Sequence, residues 1–193
     1  MQNATNGLPT CVEHQPGWLG TDEADALLGI LATLPFEQHS YSWAGTTGPR
    51  PRQEYWIGPG NYRYSGTTLP AHPWTEELDA LRARLKANLG TPFNSVLVNR
   101  YRNGHDYVSW HTDDEGYFGP TPTIASLSLG AARSFSLRPR RMRRSPVTVE
   151  LGHGDLLVMR AESQAEWEHS VPKRLRVTQP RINLTFRWYR SDE

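Results

Sequence analysis

The chain has almost no sulfur chemistry to offer, with one cysteine, Cys11, and three methionines in 193 residues. A single thiol can close no disulfide framework and build no thiolate metal site. Any metal must therefore be held by His, Asp or Glu, and a reducing intracellular compartment is the expected setting. Long apolar runs are missing as well. Nothing approaches membrane-spanning length, and Met1–Gly20 lacks the basic-then-apolar order of a signal peptide. The expectation is a cytoplasmic protein with no membrane partner. Neither an internal repeat nor a long linker is present, so residues 1–193 are read as one domain, with 37% hydrophobic and 10% aromatic residues to build its core.

A strong overall charge is also absent, since the net formal charge is only +1. The distribution is uneven, however. Residues 131–190 hold 13 Lys and Arg against 5 Asp and Glu, whereas residues 1–130 hold 8 against 13. The densest basic stretches are Arg138–Arg144 and Lys173–Arg176. Such clusters suit phosphate backbones, where each neutralised phosphate releases counterions. A solvated arginine-rich loop is the alternative.

Two helices are expected in the first 90 residues. Thr21 can cap one that runs to Leu34, with Asp22 and Glu23 in its first turn, an apolar stripe of Leu27, Leu28, Leu31 and Leu34, and Pro35 as its end. The second is expected over Thr75–Leu89, with Leu78, Leu81, Leu85 and Leu89 on one face and Gly90 as its stop. The Gly-, Pro- and Tyr-rich segment Gly45–Gly66 between them is expected to form hairpins or ordered loops over one mouth of the core, as an interaction surface. After Gly90 the period shortens to two, with β-rich runs at Asn94–Tyr101, Ile124–Leu129, Arg133–Leu137, Val147–Leu151, Asp155–Met159 and Arg181–Tyr189. This predicts a sheet sandwich or barrel over 91–190, with 1–90 supplying helices and a lid.

Chemistry concentrates at His111 and Asp113 in Trp-His-Thr-Asp-Asp-Glu, at His169 in Trp-Glu-His-Ser, and in Arg181-Ile-Asn-Leu-Thr-Phe-Arg187. Two imidazoles and a carboxylate occupy one face of a metal ion and leave the opposite positions open, as in non-haem Fe(II) oxygenases. On an extended strand His111 and Asp113 would point the same way. An exposed polar turn for that pair, and a hydrogen-bonded core histidine for His169, are the alternatives that these residues alone leave open. Alternation along 181–187 places Arg181, Asn183, Thr185 and Arg187 on one face, and Ile182, Leu184, Phe186 and Trp188 on the apolar one. Two guanidiniums pointing into a barrel cost several kcal/mol each if unpaired, on the order set by buried charges. A dicarboxylate between them resolves the conflict; an edge strand with a wet arginine face is the alternative. Leu97, Asn99 and Tyr101 share a face and form a matching wall.

Asn-Arg-Tyr at 99–101, His-Thr-Asp-Asp-Glu at 111–115, the later His169 and Arg-Ile-Asn-Leu-Thr-Phe-Arg at 181–187 resemble the AlkB family of Fe(II)- and 2-oxoglutarate-dependent dioxygenases. Segments Tyr62–Gly66 and Thr123–Ser126 strengthen the likeness, which runs from about Pro51 to Trp188 and is nearest to the DNA repair members that accept duplexes. The resemblance implies an α+β fold dominated by β, a double-stranded β-helix or jelly-roll core with flanking N-terminal helices. It implies Fe(II) held by His111, Asp113 and His169, with 2-oxoglutarate and O₂ as cosubstrates. Asn99, Tyr101, Arg181, Asn183, Thr185 and Arg187 would serve 2-oxoglutarate. Tyr62, Tyr64 and Ser65 would line a pocket for a flipped base, Asp114 and Glu115 would lie at its polar edge, and Trp43 would be the wedge of a finger hairpin at Trp43-Ala44-Gly45. The implied function is oxidative demethylation of 1-methyladenine and 3-methylcytosine in alkylated DNA, by a monomer. The rival readings are an RNA or tRNA demethylase with the same core, a nucleic-acid-binding module with a structural metal, and a zinc hydrolase.

Overall fold

A computed structural model describes residues 7–43, 45–141 and 145–190, with the backbone alone for Trp43. Ala44, Arg143 and Arg144, which belong to the finger and the basic stretch singled out above, lie outside the described residues. In chain order the N-terminal half holds strand β1 (Val12–Gln15), helix α1 (Thr21–Leu31), strands β2 (Ser40–Trp43), β3 (Thr46–Pro49), β4 (Gln53–Ile57), β5 (Tyr62–Tyr64) and β6 (Thr67–Leu69), and helix α2 (Glu76–Leu89). Then come β7 (Ser95–Tyr101), β8 (Val108–His111), a 3₁₀ turn at Gly116–Phe118, β9 (Ile124–Gly130), β10 (Arg133–Pro139), β11 (Val147–Leu151), β12 (Leu156–Met159), the one-turn helix α3 (Ser163–Glu166), β13 (Trp167–Val171) and β14 (Arg181–Arg187).

Two antiparallel sheets face each other, one ordered β1-β12-β9-β14-β7-β4 and the other β11-β10-β13-β8. This is the expected jelly-roll core. The six-stranded sheet draws β1 and β4 from the chain before residue 90, two strands that the alternation did not predict. Its outer face carries Val96, Val98, Leu127, Ile182, Leu184 and Phe186, buried beneath the leucine stripes of α1 and α2. Each such side chain contributes roughly 1.5–3 kcal/mol on burial. A second cluster, including Phe135, Leu137, Leu157, Met159 and Val171, fills part of the space between the sheets.

The helices follow local rules with one correction. In α2 the Thr75 side chain accepts from the Leu78 N–H at 3.4 Å, and Gly90 ends the helix at φ 67°. By contrast, α1 is preceded by Gly20 with no side-chain cap, so Thr21 is its first residue and not its cap. It also stops at Leu31 instead of Leu34. Thr33 N–H turns back to the Ile30 carbonyl and Leu34 N–H to the Leu31 carbonyl. That tightening ahead of Pro35 follows from the exclusion of helical geometry before proline. Strand β14 likewise ends at Arg187, because Tyr189 exchanges both backbone bonds with the Asn94 side chain in place of a ladder partner. Trp188 is consequently 46% exposed and does not join the apolar face.

Candidate metal and cosubstrate site

The site begins as a consequence of strand register. β8 and β13 are antiparallel neighbours, and His111 stands directly opposite His169. Opposite residues share a face, and the two imidazole centroids are 4.2 Å apart. The His111 Nδ1–H donates to the Ser109 carbonyl at 2.8 Å, which leaves Nε2 with a free lone pair. That Nε2 lies 3.7 Å from Asp113 Oδ1, and candidate ligand atoms of His111, Asp113 and His169 lie within 4.8 Å of one another. Burial, reinforced by neighbouring His111, pushes His169 down to about 3, and burial lowers His111 too. Both rings are neutral near pH 7, as metal ligation requires. Burial alone would raise the Asp113 carboxyl, but the Arg187 guanidinium beside it outweighs burial and holds the group below its usual range.

Asp113 is not a strand residue. It follows β8 in a loop, so strand alternation does not aim it at His111. Gln164 does the aiming. This residue of α3 is 1% exposed, and its Oε1 accepts from the Asp113 backbone N–H at 2.9 Å while its Nε2 donates to Ser163 Oγ. Arg140 braces the same loop, reaching both the Asp114 carboxylate and the Gln164 carbonyl. Replacing Gln164 with Met keeps the bulk and removes the acceptor. Mn(II) affinity measured by calorimetry is then expected to fall roughly 10–100-fold, as outer-shell losses do; an unchanged affinity would show that the loop holds its place without Gln164.

The basic stretch also reads differently in three dimensions. Arg138 pairs with Glu168 and lies over the Trp110 ring, and Arg140 is committed to the Asp114 brace. Of its described arginines, Arg141 alone has an exposed side chain with no ion pair among the described residues.

Across the cavity, β14 and β7 pair so that Arg181 faces Tyr101, Asn183 faces Asn99 and Thr185 faces Leu97. The polar face predicted for β14 is buried throughout: Arg181, Asn183, Thr185 and Arg187 are all at most 8% exposed. Asn183 is fixed by Ser126 and the Leu127 carbonyl, and Thr185 donates to Asn183. Arg187 Nη1 is 3.5 Å from Asp113 Oδ2, and its Cζ is 4.1 Å from the Phe118 ring centroid. Arg181 bonds Ser128 and rests against the Tyr101 ring. Among the described residues, Arg181 Nε and Nη1, Arg187 Nε and Nη2, and His169 Nδ1 are buried with no hydrogen-bond partner. Orphaned charged donors of this kind are costly. Acceptor oxygens of a dicarboxylate beside a metal ion would answer the Arg187 donors, which face the cavity, so the residues there fit Fe(II) with 2-oxoglutarate.

Asn99, Tyr101, Asn183, Thr185, Arg187 and the three candidate ligands line one cavity of about 800 Å³. Tyr62, Tyr64, Ser65, Asp114 and Glu115 line it as well; Arg181 stands outside its lining. Tyr62 and Tyr64 stack at 4.7 Å on strand β5. Ser65 (φ 47°) and Gly66 (φ 77°) form the two-residue turn to β6, the left-handed pair that a tight hairpin demands. Tyr62 donates to Glu115 Oε1 at 2.9 Å, and burial followed by Asp113 raises the Glu115 carboxyl. Trp43 closes β2 opposite Thr46, but its side chain is outside the described residues. The sequence reading missed Arg52 and Tyr41, which also line the cavity, and Glu54 behind them. They sit in a Gly/Pro/Arg-rich stretch without periodicity, where no pattern singles them out.

Comparisons with known proteins agree with this geometry. The 2OG-Fe(II) oxygenase superfamily profile matches residues 12–187. The alpha-ketoglutarate-dependent dioxygenase alkB homolog 3 of Mus musculus is 40% identical over 182 residues, covering 89% of this chain and 64% of that protein. The DNA oxidative demethylase ALKBH2 of Mus musculus is 42% identical over 168 residues, covering 83% and 64%. The chain thus spans a little under two thirds of these relatives' length. Among solved structures, one titled "The structure of OsALKBH1" superposes with TM-score 0.63 at 19% identity, covering 93% of this chain and 99% of that one. A 2OG-Fe(II) oxygenase family oxidoreductase from Burkholderia pseudomallei gives 0.62 at 16%, covering 94% and 86%. With its paired histidines, its loop carboxylate and its two buried arginines in this register, the chain belongs to the 2OG-Fe(II) oxygenase superfamily, as an AlkB-type member.

Proposed function

We propose that this protein is an oxidative demethylase of N-alkylated nucleobases, acting as a cytoplasmic monomer on 1-methyladenine and 3-methylcytosine in DNA. The observation that carries the reading is the Tyr64 ring, backed by Tyr62, on the wall of the cavity that also holds His111, Asp113 and His169. The Arg50 guanidinium lies over that ring, so in this reading a planar base displaces it to stack on Tyr64 beside the metal face, and base–aromatic stacking is worth roughly 1–3 kcal/mol. Extruding a base from a duplex costs about a few kcal/mol, less where methylation has already blocked pairing. The names of the relatives support the same substrate class.

In this reading His111, Asp113 and His169 hold Fe(II), and Asn99, Tyr101, Arg181, Asn183, Thr185 and Arg187 bind and orient 2-oxoglutarate. When bound, Fe(II) with 2-oxoglutarate and O₂ supplies the oxidising power to hydroxylate an N-methyl group, and the N-hydroxymethyl product breaks down to formaldehyde and the repaired base. Tyr64 stacks on the base. Glu115, kept protonated more readily than an ordinary carboxyl by its burial and by Asp113, faces the polar edge of the base with its Oε2, which has no hydrogen-bond partner among the described residues. Asp114 is drawn to Arg140 and shapes the rim. The β2–β3 hairpin, whose Tyr41 and Ser42 line the cavity, is the candidate to fill the gap in a base stack, with Trp43 as its proposed wedge.

The test is a turnover assay with 1-methyladenine in single-stranded DNA, duplex DNA and RNA, following succinate, formaldehyde and repaired base together. Stoichiometric release on either DNA is the expected result. Succinate without repaired base on any of the three would assign the oxygenase a different substrate, and turnover on RNA alone would favour the RNA reading.

A further inference from the structure

Beside the proposed base slot lies a buried carboxylate that no role above employs. Glu54 is 1% exposed, and two guanidiniums share it: Arg50 Nη1 donates to Oε2 at 2.9 Å and Arg52 Nε to Oε1 at 2.9 Å. The Tyr64 hydroxyl also donates to Oε1 and accepts from Arg52 Nη2 at 3.1 Å. Arg50 fixes the other side of the same tyrosine, with its Cζ 3.9 Å from the ring centroid and Nη2 bonded to the Tyr64 carbonyl. Burial alone would push the Glu54 carboxyl up, but Arg52, Arg50 and Tyr64 keep it ionised. A buried charge network of this kind is weak evidence for stability, since apolar residues of like volume often do as well. Its value lies in what it orients.

Arg52 Nε is shared between Glu54 and Asn99 Oδ1, the latter at 3.0 Å. With its oxygen committed to a cation, the Asn99 amide must offer the cavity its NH₂, which is the donor that a cosubstrate carboxylate needs. One chain of contacts therefore runs from the Tyr64 ring through its hydroxyl, Glu54 and Arg52 to Asn99. We propose that Glu54 is a positioning residue joining the base slot to the cosubstrate pole, so that a nucleobase on Tyr64 and 2-oxoglutarate at Asn99 bind with positive cooperativity. The inference rests on the proposed function for the identity of the two ligands. Its sign follows from the shared parts: whichever ligand binds first favours the arrangement of Tyr64, Arg52 and Asn99 that the other also requires, and the second meets a population already shifted towards it. Reciprocity requires each ligand to tighten the other by the same factor.

The experiment is calorimetric titration of 2-oxoglutarate into the Mn(II)-loaded protein under argon, with and without a saturating 1-methyladenine-containing single-stranded oligonucleotide. No turnover occurs, and oligonucleotide binding is followed separately by fluorescence anisotropy. The oligonucleotide is expected to lower the 2-oxoglutarate Kd by at least about fivefold in the parent, the lower end of ordinary coupling. Tyr64→Phe keeps the stacking ring but cuts its link to Glu54 and Arg52, and should bring that ratio to within about twofold of one, below the ordinary range. Glu54→Gln should weaken 2-oxoglutarate binding and abolish the ratio together; if its burial prevents folding, Tyr64→Phe alone decides. A parent ratio near one, or the same ratio in parent and Tyr64→Phe while the oligonucleotide still binds, overturns the coupling and leaves the proposed function standing. Failure of the oligonucleotide to bind any of the proteins overturns both.

Discussion

Substituting Ala for His169 is expected to remove Fe(II) binding and all measurable turnover from a protein that remains folded. The ring supplies one of three candidate ligand atoms gathered within 4.8 Å, and its Nδ1 has no partner among the described residues, so no protein hydrogen bond is lost at that atom. Loss of a direct ligand should exceed the roughly 10–100-fold penalty that follows loss of an outer partner. His111→Ala should do the same and also release the Ser109 carbonyl from its imidazole donor. Asp113→Ala differs, since it removes the anion nearest Arg187 and leaves that guanidinium in a buried pocket with fewer partners. It should therefore lose some stability as well as metal. Metal content by elemental analysis and thermal unfolding by circular dichroism separate the two effects; full metal content in any one variant would strike that residue from the ligand set.

Arg187→Ala is expected to weaken 2-oxoglutarate binding more than any other change on the polar face of β14. Among the described residues two of its nitrogens are buried without a partner and a third is shared between Asp113 and the Tyr62 hydroxyl, so a carboxylate arriving at that edge gains charged hydrogen bonds. At roughly 1.5–3 kcal/mol for each such bond, the affinity should fall by at least about tenfold. Arg187→Lys keeps the charge but not the planar fork, and should recover only part of the loss. Calorimetry on the Mn(II) form gives the affinity directly. An unchanged Kd in Arg187→Ala would remove this residue from the cosubstrate site and leave its role as the counter-ion of Asp113.

The parts of the site that the sequence disclosed are those that a two-residue period controls. The Arg181–Arg187 alternation could be assigned to two faces because β14 is a central strand with one face against helices and the other against a cavity. Asn99 and Tyr101 follow from the same period on its neighbour β7. His111 and His169 could be recognised as ligand types, but their pairing depends on the β8–β13 register, which connects residues 58 apart in the chain through a contact no local pattern encodes. Alternation is the only rule that a sequence offers for two ligands two residues apart, and it puts Asp113 on a strand; the loop is held instead by a neutral amide, Gln164, on a one-turn helix that has no periodic signal. Arg52 and Glu54 are legible only once β4 is seen to flank β7, because their meaning comes from Asn99 across the ladder.

The opposed histidines impose a rule about chain length. Between the His111–His169 pair and the Val108–Val171 pair the ladder shifts register, three steps on β8 against two on β13, so the face that His111 shows depends on an irregularity that takes up the extra residue of β8. The carboxylate ligand escapes that rule, since it hangs from a loop. A one-residue change in β8 is therefore expected to be harmless only where that irregularity absorbs it, whereas the Asp113 loop is held by its Gln164 tether and not by the ladder.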